Sequence, residues 1–139
     1  MTKYYLDVSI WKDYWEDRKD NLRPLGDFAF QLLKKIMESK DKLIYSPAVI
    51  EELLSFFSEN EIENRFFKDF RELGLLNCIS INNKQIQEAE EIARNKNLPV
   101  MDALHAVLAR DNNAILVSRD KHFEKLTDVT VSKKPEEII

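Results

Sequence analysis

The chain of 139 residues has little of several things, and each shortage excludes something. A single cysteine, Cys78, rules out an intrachain disulfide and a cysteine-based zinc cluster. Two glycines and four prolines are too few for a collagen-like, low-complexity or turn-dense all-β chain. No apolar run approaches the roughly 18 residues of a membrane span. The first residues, Met1-Thr2-Lys3-Tyr4-Tyr5-Leu6-Asp7, form no apolar leader but pass straight into a strand-like run, so a cytoplasmic protein without membrane association is expected. There is no excess of base either: 21 Lys+Arg stand against 25 Asp+Glu, a net charge of -4. Nucleic acid cannot be bound through global charge alone, although a local basic patch beside an acidic, metal-filled site is compatible with this total.

What is present is a soluble globular balance, 44% hydrophobic and 33% charged, at a length suited to one domain spanning residues 1–139. Short apolar runs alternate with amphipathic ones. Strands are expected over Tyr4–Asp7, Lys42–Ser46, Leu75–Ile81 and Ala114–Val117, with a fifth over Asp128–Val131. Helical spacing is found in Leu25–Lys40, in Ser46–Phe57 behind a Ser-Pro start, from Ile62 to Leu73 before the stop at Gly74, after Asn82 or Asn83, and in Val100–Arg110. This alternation predicts an α/β fold with a mainly parallel sheet. Cys78 reads as a small core side chain in its strand. Phe56, Phe57, Phe66, Phe67 and Phe70 exceed what one buried stripe needs, which leaves some for a partner surface.

Three aspartates fall at element ends. Asp7 closes the first strand, Asp120 follows the fourth, and Asp102 lies in the first turn of an apolar helix. A lone Asp in such a place is ordinarily a helix cap. Three aimed at one edge of a parallel sheet are harder to explain so, because that edge is where sites are built and crowded carboxylates call for a divalent cation. The Ser46–Phe57 helix offers a fourth acid, Glu51 or Glu52. Both flank its buried stripe, and periodicity leaves the choice open.

The segments Tyr5-Leu6-Asp7-Val8-Ser9, Val49-Ile50-Glu51-Glu52-Leu53-Leu54, Pro99-Val100-Met101-Asp102-Ala103-Leu104-His105-Ala106 and Leu116-Val117-Ser118-Arg119-Asp120-Lys121-His122-Phe123 resemble the four acidic motifs of PIN domains. The resemblance runs from Tyr4 to about Phe123 and is nearest to the small proteins that include VapC-type toxins. Asp-Ala-Leu-His-Ala and Ser-Arg-Asp-Lys-His-Phe are its most specific parts. Val8 stands where the family often has a small polar residue, and Trp11–Gly26 is long and charged beside short relatives. In the family the helical acid usually precedes Leu directly, which points to Glu52 with Glu51 as the fallback.

The resemblance implies a PIN-like three-layer α/β/α sandwich. It also implies a metal-dependent endoribonuclease that hydrolyses RNA phosphodiester bonds with metal-activated water, as the toxin of a VapBC-type toxin–antitoxin pair. The alternatives are a housekeeping PIN nuclease in RNA processing and a non-catalytic scaffold binding RNA or protein. Asp7, Glu52, Asp102 and Asp120 are then the catalytic and metal-binding set, and four carboxylates without a His/Cys cluster suit Mg²⁺ or Mn²⁺. Ser9 and Ser118 can hold these acids or a phosphate. Arg119 and Lys121, with His122 and Lys125 nearby, can hold the RNA backbone. His105, one turn from Asp102, reads as a packed or hydrogen-bonded scaffold residue. A homodimer and a small antitoxin protein are the partners implied beside RNA.

Overall fold

The computed structural model describes residues 1–19 and 21–139; position 20, inside the Trp11–Gly26 segment, lies outside the described residues. Five strands form one all-parallel sheet in the order β3-β2-β1-β4-β5. They are β1 (Lys3–Leu6), β2 (Lys42–Tyr45), β3 (Leu76–Cys78), β4 (Ile115–Val117) and β5 (Ser132–Lys133). The chain moves outward from β1 through β2 to β3, then returns to lay β4 on the other side of β1. The connections reverse direction between β1 and β4, so a crevice opens there at the C-terminal ends of the strands.

Helices cover both faces of this sheet, giving the expected α/β/α layers. Between β1 and β2 lie α1 (Val8–Glu16) and α2 (Leu25–Glu38), which pack on each other. Between β2 and β3 come α3 (Pro47–Leu53), α4 (Glu59–Glu61), a π-helical stretch (Ile62–Phe67) and α5 (Lys68–Glu72). Between β3 and β4 lie α6 (Asn83–Lys96) and α7 (Val100–Asp111), the most closely associated pair. Successive residues of β1 alternate faces: Tyr5 reaches His105 of α7, which leaves Tyr4 and Leu6 for the opposite layer. All three are buried, as a strand covered on both sides must be.

Several boundaries depart from the sequence expectation for visible reasons. Val8–Glu16 is a helix, carried by the buried Ile10 and Trp11, with Asp13 buried one turn from Ile10. The Ser46–Phe57 helix stops early, at Leu53, which leaves Phe56 exposed. In the π-helical stretch the wider register turns adjacent Phe66 and Phe67 both inward, against Trp11 and Tyr45. Leu73, expected on the apolar stripe, is exposed, and Gly74 ends the run at φ 72°. The fifth strand is Ser132–Lys133, not Asp128–Val131, because the amides of Val129 and Thr130 donate to the Leu126 carbonyl and hold that segment in a turn. Cys78 is exposed, not core, because β3 is a short edge strand. Among the described residues, no helix is long and apolar enough to cross a membrane.

Candidate metal centre

The crevice between β1 and β4 gathers the four acids from four separate elements. Asp7 stands where β1 gives way to α1. It occupies the cap position of α1, yet its carboxylate makes no capping bond to the helix. Its Oδ2 instead accepts hydrogen bonds from Ser9 Oγ at 2.9 Å and Ser118 Oγ at 2.8 Å. Ser118 follows β4 directly, so one carboxylate oxygen joins the two sides of the crevice. Asp7 is only 4% exposed, and its amide donates to the Val117 carbonyl at 2.9 Å. The ordinary helix-cap explanation therefore fails for this residue.

Asp102 is not a cap either. Pro99 holds that position in α7, and the Asp102 side chain is free to face the crevice. It is buried, and its Oδ2 accepts from His122 Nδ1 at 2.7 Å. Burial pushes its carboxyl above the usual range, the negative charges of Asp120 and Asp7 push further, and the bond from His122 only partly opposes them. Asp120 does cap: its Oδ1 accepts from the His122 amide at 2.9 Å and starts a short 3₁₀ turn. The same oxygen lies 3.2 Å from His122 Nδ1.

Glu52 and Glu51 separate clearly in the fold. Glu51 is exposed, whereas Glu52 is half-buried and accepts a hydrogen bond from His105 Nε2. Because a carboxylate only accepts, Nε2 is the donor, which leaves His105 Nδ1 to accept from the Tyr5 hydroxyl at 2.7 Å. The Tyr5 oxygen in turn accepts from Ser46 Oγ at 2.7 Å. Tyr5, Ser46 and His105 are almost wholly buried, so this chain from α3 through β1 to α7 holds Glu52 from inside the molecule.

Two groups of potential ligands result. Asp7, Glu52 and His105 offer atoms within 4.8 Å of one another, and so do Asp102, Asp120 and His122. The donor set fits a divalent cation: carboxylates are drawn together in a partly buried crevice, and burial, with the charges of Asp120 and Asp7 added, raises the Asp102 carboxyl. Oxygen donors suit Mg²⁺ or Mn²⁺; His105, with both ring nitrogens engaged by Glu52 and Tyr5, orients Glu52, and the His122 imidazole lies beside Asp102 and Asp120. His122 was visible only as one of the basic residues around Asp120.

Arg119 stands differently from its neighbour Lys121. Its Nε donates to Asp13 Oδ2 at 3.0 Å, and its two terminal nitrogens donate to Glu136 at 2.9 and 2.6 Å. The guanidinium is thus tied into the protein, while Lys121 is exposed. Neither Asp13 nor Glu136 was among the expected site residues; both are distant in sequence and meet Arg119 only in the folded chain.

The model of the PIN domain family matches residues 4–129. The chain belongs to the PIN domain family. No curated protein matches it in sequence. Among solved structures, this PIN domain is similar to VapBC2 from Rickettsia felis bound to a promoter DNA fragment, with TM-score 0.65 and 20% identity, covering 96% of this chain and 98% of that one. It is similar to FitAcB from Neisseria gonorrhoeae, with TM-score 0.65 and 12% identity, covering 97% and 99%. A toxin–antitoxin complex from Klebsiella pneumoniae gives TM-score 0.62 and 16% identity, covering 95% and 97%. At these identities the likeness is one of fold.

Proposed function

We propose that this PIN domain is a divalent-metal-dependent endoribonuclease, and that it is the toxin of a VapBC-type toxin–antitoxin pair. The observation that carries the reading is the meeting of Asp7, Glu52, Asp102 and Asp120 at the crevice between β1 and β4, with Asp7 and Asp102 released from helix capping. Asp7 and Glu52 would hold a cation on one side, Asp102 and Asp120 on the other. A bound Mg²⁺ or Mn²⁺ supplies Lewis-acid stabilisation of the phosphodiester oxygens and lowers the pKa of water. The chain's own residues do the rest. Ser9 and Ser118 fix the Asp7 carboxylate, and His105 fixes Glu52. One of Asp120 and Glu52, the less buried of the four acids, would accept a proton from attacking water. His122 bridges Asp102 and Asp120, the two acids that would hold a cation on that side.

All four motif positions are acidic, which favours an enzyme over a scaffold. The toxin reading over a housekeeping nuclease draws on the resemblance to proteins solved as toxin–antitoxin complexes. Exposed Phe30 and Phe56 supply apolar surface for a homodimer or an antitoxin. Incubation of structured and unstructured RNAs with Mg²⁺ or Mn²⁺ tests the activity: internal cleavage leaving 5′-phosphate ends is expected. Products unchanged by chelator would contradict it. Co-expression with the product of an adjacent small open reading frame tests the pairing, with relief of growth arrest as the expected result.

A further inference from the structure

The long charged segment after α1 builds a second wall beside the acids. Helix α1 ends with Asp17 at φ 48°, and the chain then doubles back over the helix end. The Arg18 amide donates to the Asp13 carbonyl at 3.1 Å, and the Gly26 amide donates to the Arg18 carbonyl at 2.9 Å. A Cβ on Gly26 would lie 2.5 Å from Asp17 Cα and 2.8 Å from the Asp13 carbonyl oxygen, so glycine is what permits this close approach. Beneath the turn, the Asp13 carboxylate is 3% exposed and lies between Arg119 and Arg18, with Nε distances of 3.0 and 3.8 Å. Burial raises the Asp13 carboxyl and the two guanidinium groups oppose that rise.

The space enclosed is a cavity of about 510 Å³. Arg18, Lys19 and Arg23 line one side, and Arg119, Asp120 and Lys121 line the other. It reaches Ser9 and so opens onto the acidic crevice. Among the described residues, five basic side chains face two acidic ones, Asp13 and Asp120, in a chain whose net charge is -4. Among the described residues, neither Lys19 nor Lys121 has a carboxylate within ion-pair distance. Among the described residues, no aromatic side chain lines the cavity, so it offers contacts to phosphates and no stacking platform for bases.

We propose that this cleft holds the sugar–phosphate backbone of single-stranded RNA as it enters the acidic site. Lys19 and Lys121 make the phosphate contacts, while the Arg18–Asp13–Arg119–Glu136 network keeps the floor rigid. The inference rests on the RNA-cleaving reading above and adds where the strand lies.

The test is fluorescence anisotropy with a labelled single-stranded RNA in Mg²⁺ across a salt series, in an Asp102→Asn background to prevent cleavage. Lys19→Ala and Lys121→Ala together should weaken binding on the order of tenfold and reduce the slope of log K against log salt by about 0.7 per lysine. Lys40→Ala, just before β2 at the other end of the sheet, should leave both unchanged. Because both cleft lysines are exposed, thermal melts should show unaltered folding. If the parent binds RNA and the double variant keeps its affinity and slope, the cleft assignment is wrong and the nuclease reading stands. If the parent does not bind RNA and the wild-type protein does not cleave it, both fail.

Discussion

Tyr5 shows how a single atom can matter to the site without touching it. Its hydroxyl donates to His105 Nδ1 and accepts from Ser46, inside a fully buried environment that raises its own pKa. Tyr5→Phe removes the oxygen and leaves two buried polar groups short of a partner, which costs about 1–3 kcal/mol. The same change loosens His105, and through it Glu52. Mn²⁺ affinity, followed by titration calorimetry, should fall about tenfold, a typical result for losing a group that orients a metal ligand. An unchanged affinity would mean that Glu52 needs no such support. Asp102 makes an opposite prediction. Its carboxyl is raised in the folded protein, so the ionised form is disfavoured there and its penalty on stability grows as pH rises past the ordinary carboxylate value of 3.8. Asp102→Asn should therefore raise the melting temperature of metal-free protein at pH 7, while abolishing most of the stabilisation that Mg²⁺ gives the wild type. Differential scanning fluorimetry with and without the cation checks both signs.

At the scale of elements, the helix pair α6–α7 carries Asp102 and His105, so its packing controls where they stand. Arg110 of α7 donates to both oxygens of Glu88 of α6 at 2.7 Å. That hydrogen bond holds the Glu88 carboxyl below its ordinary value of 4.5. The contribution is present above that value and is lost as pH falls through the lower folded one. Both side chains are over a third exposed, so it amounts to less than about 1 kcal/mol. Glu88→Gln should lower the melting temperature slightly at pH 7 and make no difference in strong acid. The π-helical stretch is worth more: Phe67→Ala, emptying a fully buried site against Tyr45, should cost about 3–5 kcal/mol by denaturant titration.

These elements also mark what sequence reading can reach. Strand ends are legible because an apolar run closing on Asp7 or leading to Asp120 needs only neighbours in the chain. The choice between Glu51 and Glu52 was open to periodicity, since both flank the same helix stripe. In the fold they differ because His105, far along the chain, meets only Glu52. Arg119 looked like an RNA contact from its place beside Asp120. Its ties to Asp13 and Glu136 depend on α1 and the C-terminal turn converging beneath it. The π register was hidden because an α-helical pattern fits Ile62, Phe66 and Phe70 equally well, and all three are indeed buried.

For the molecule as a whole, the excess of acid is unevenly placed. Carboxylates cluster in the crevice, and a basic cleft adjoins it. The overall charge therefore says little about RNA, and on the proposed reading a cation would reduce the repulsion before a phosphate approached. Phe30 and Phe56 are left 50% and 55% exposed and offer apolar surface to a second copy. Light scattering at micromolar concentration should return the mass of a dimer; a monomer mass of 16.4 kDa would remove the homodimer from the account.

The most direct measurement is cleavage of an internally labelled RNA by purified protein in Mg²⁺ or Mn²⁺, with EDTA and Asp102→Asn in parallel. The account predicts internal cleavage by the wild type, none with EDTA, and a loss of at least about a hundredfold in the variant, as expected when a group stabilising the transition state is removed. Cleavage that persists in EDTA, or that the variant carries out at the wild-type rate, would contradict it.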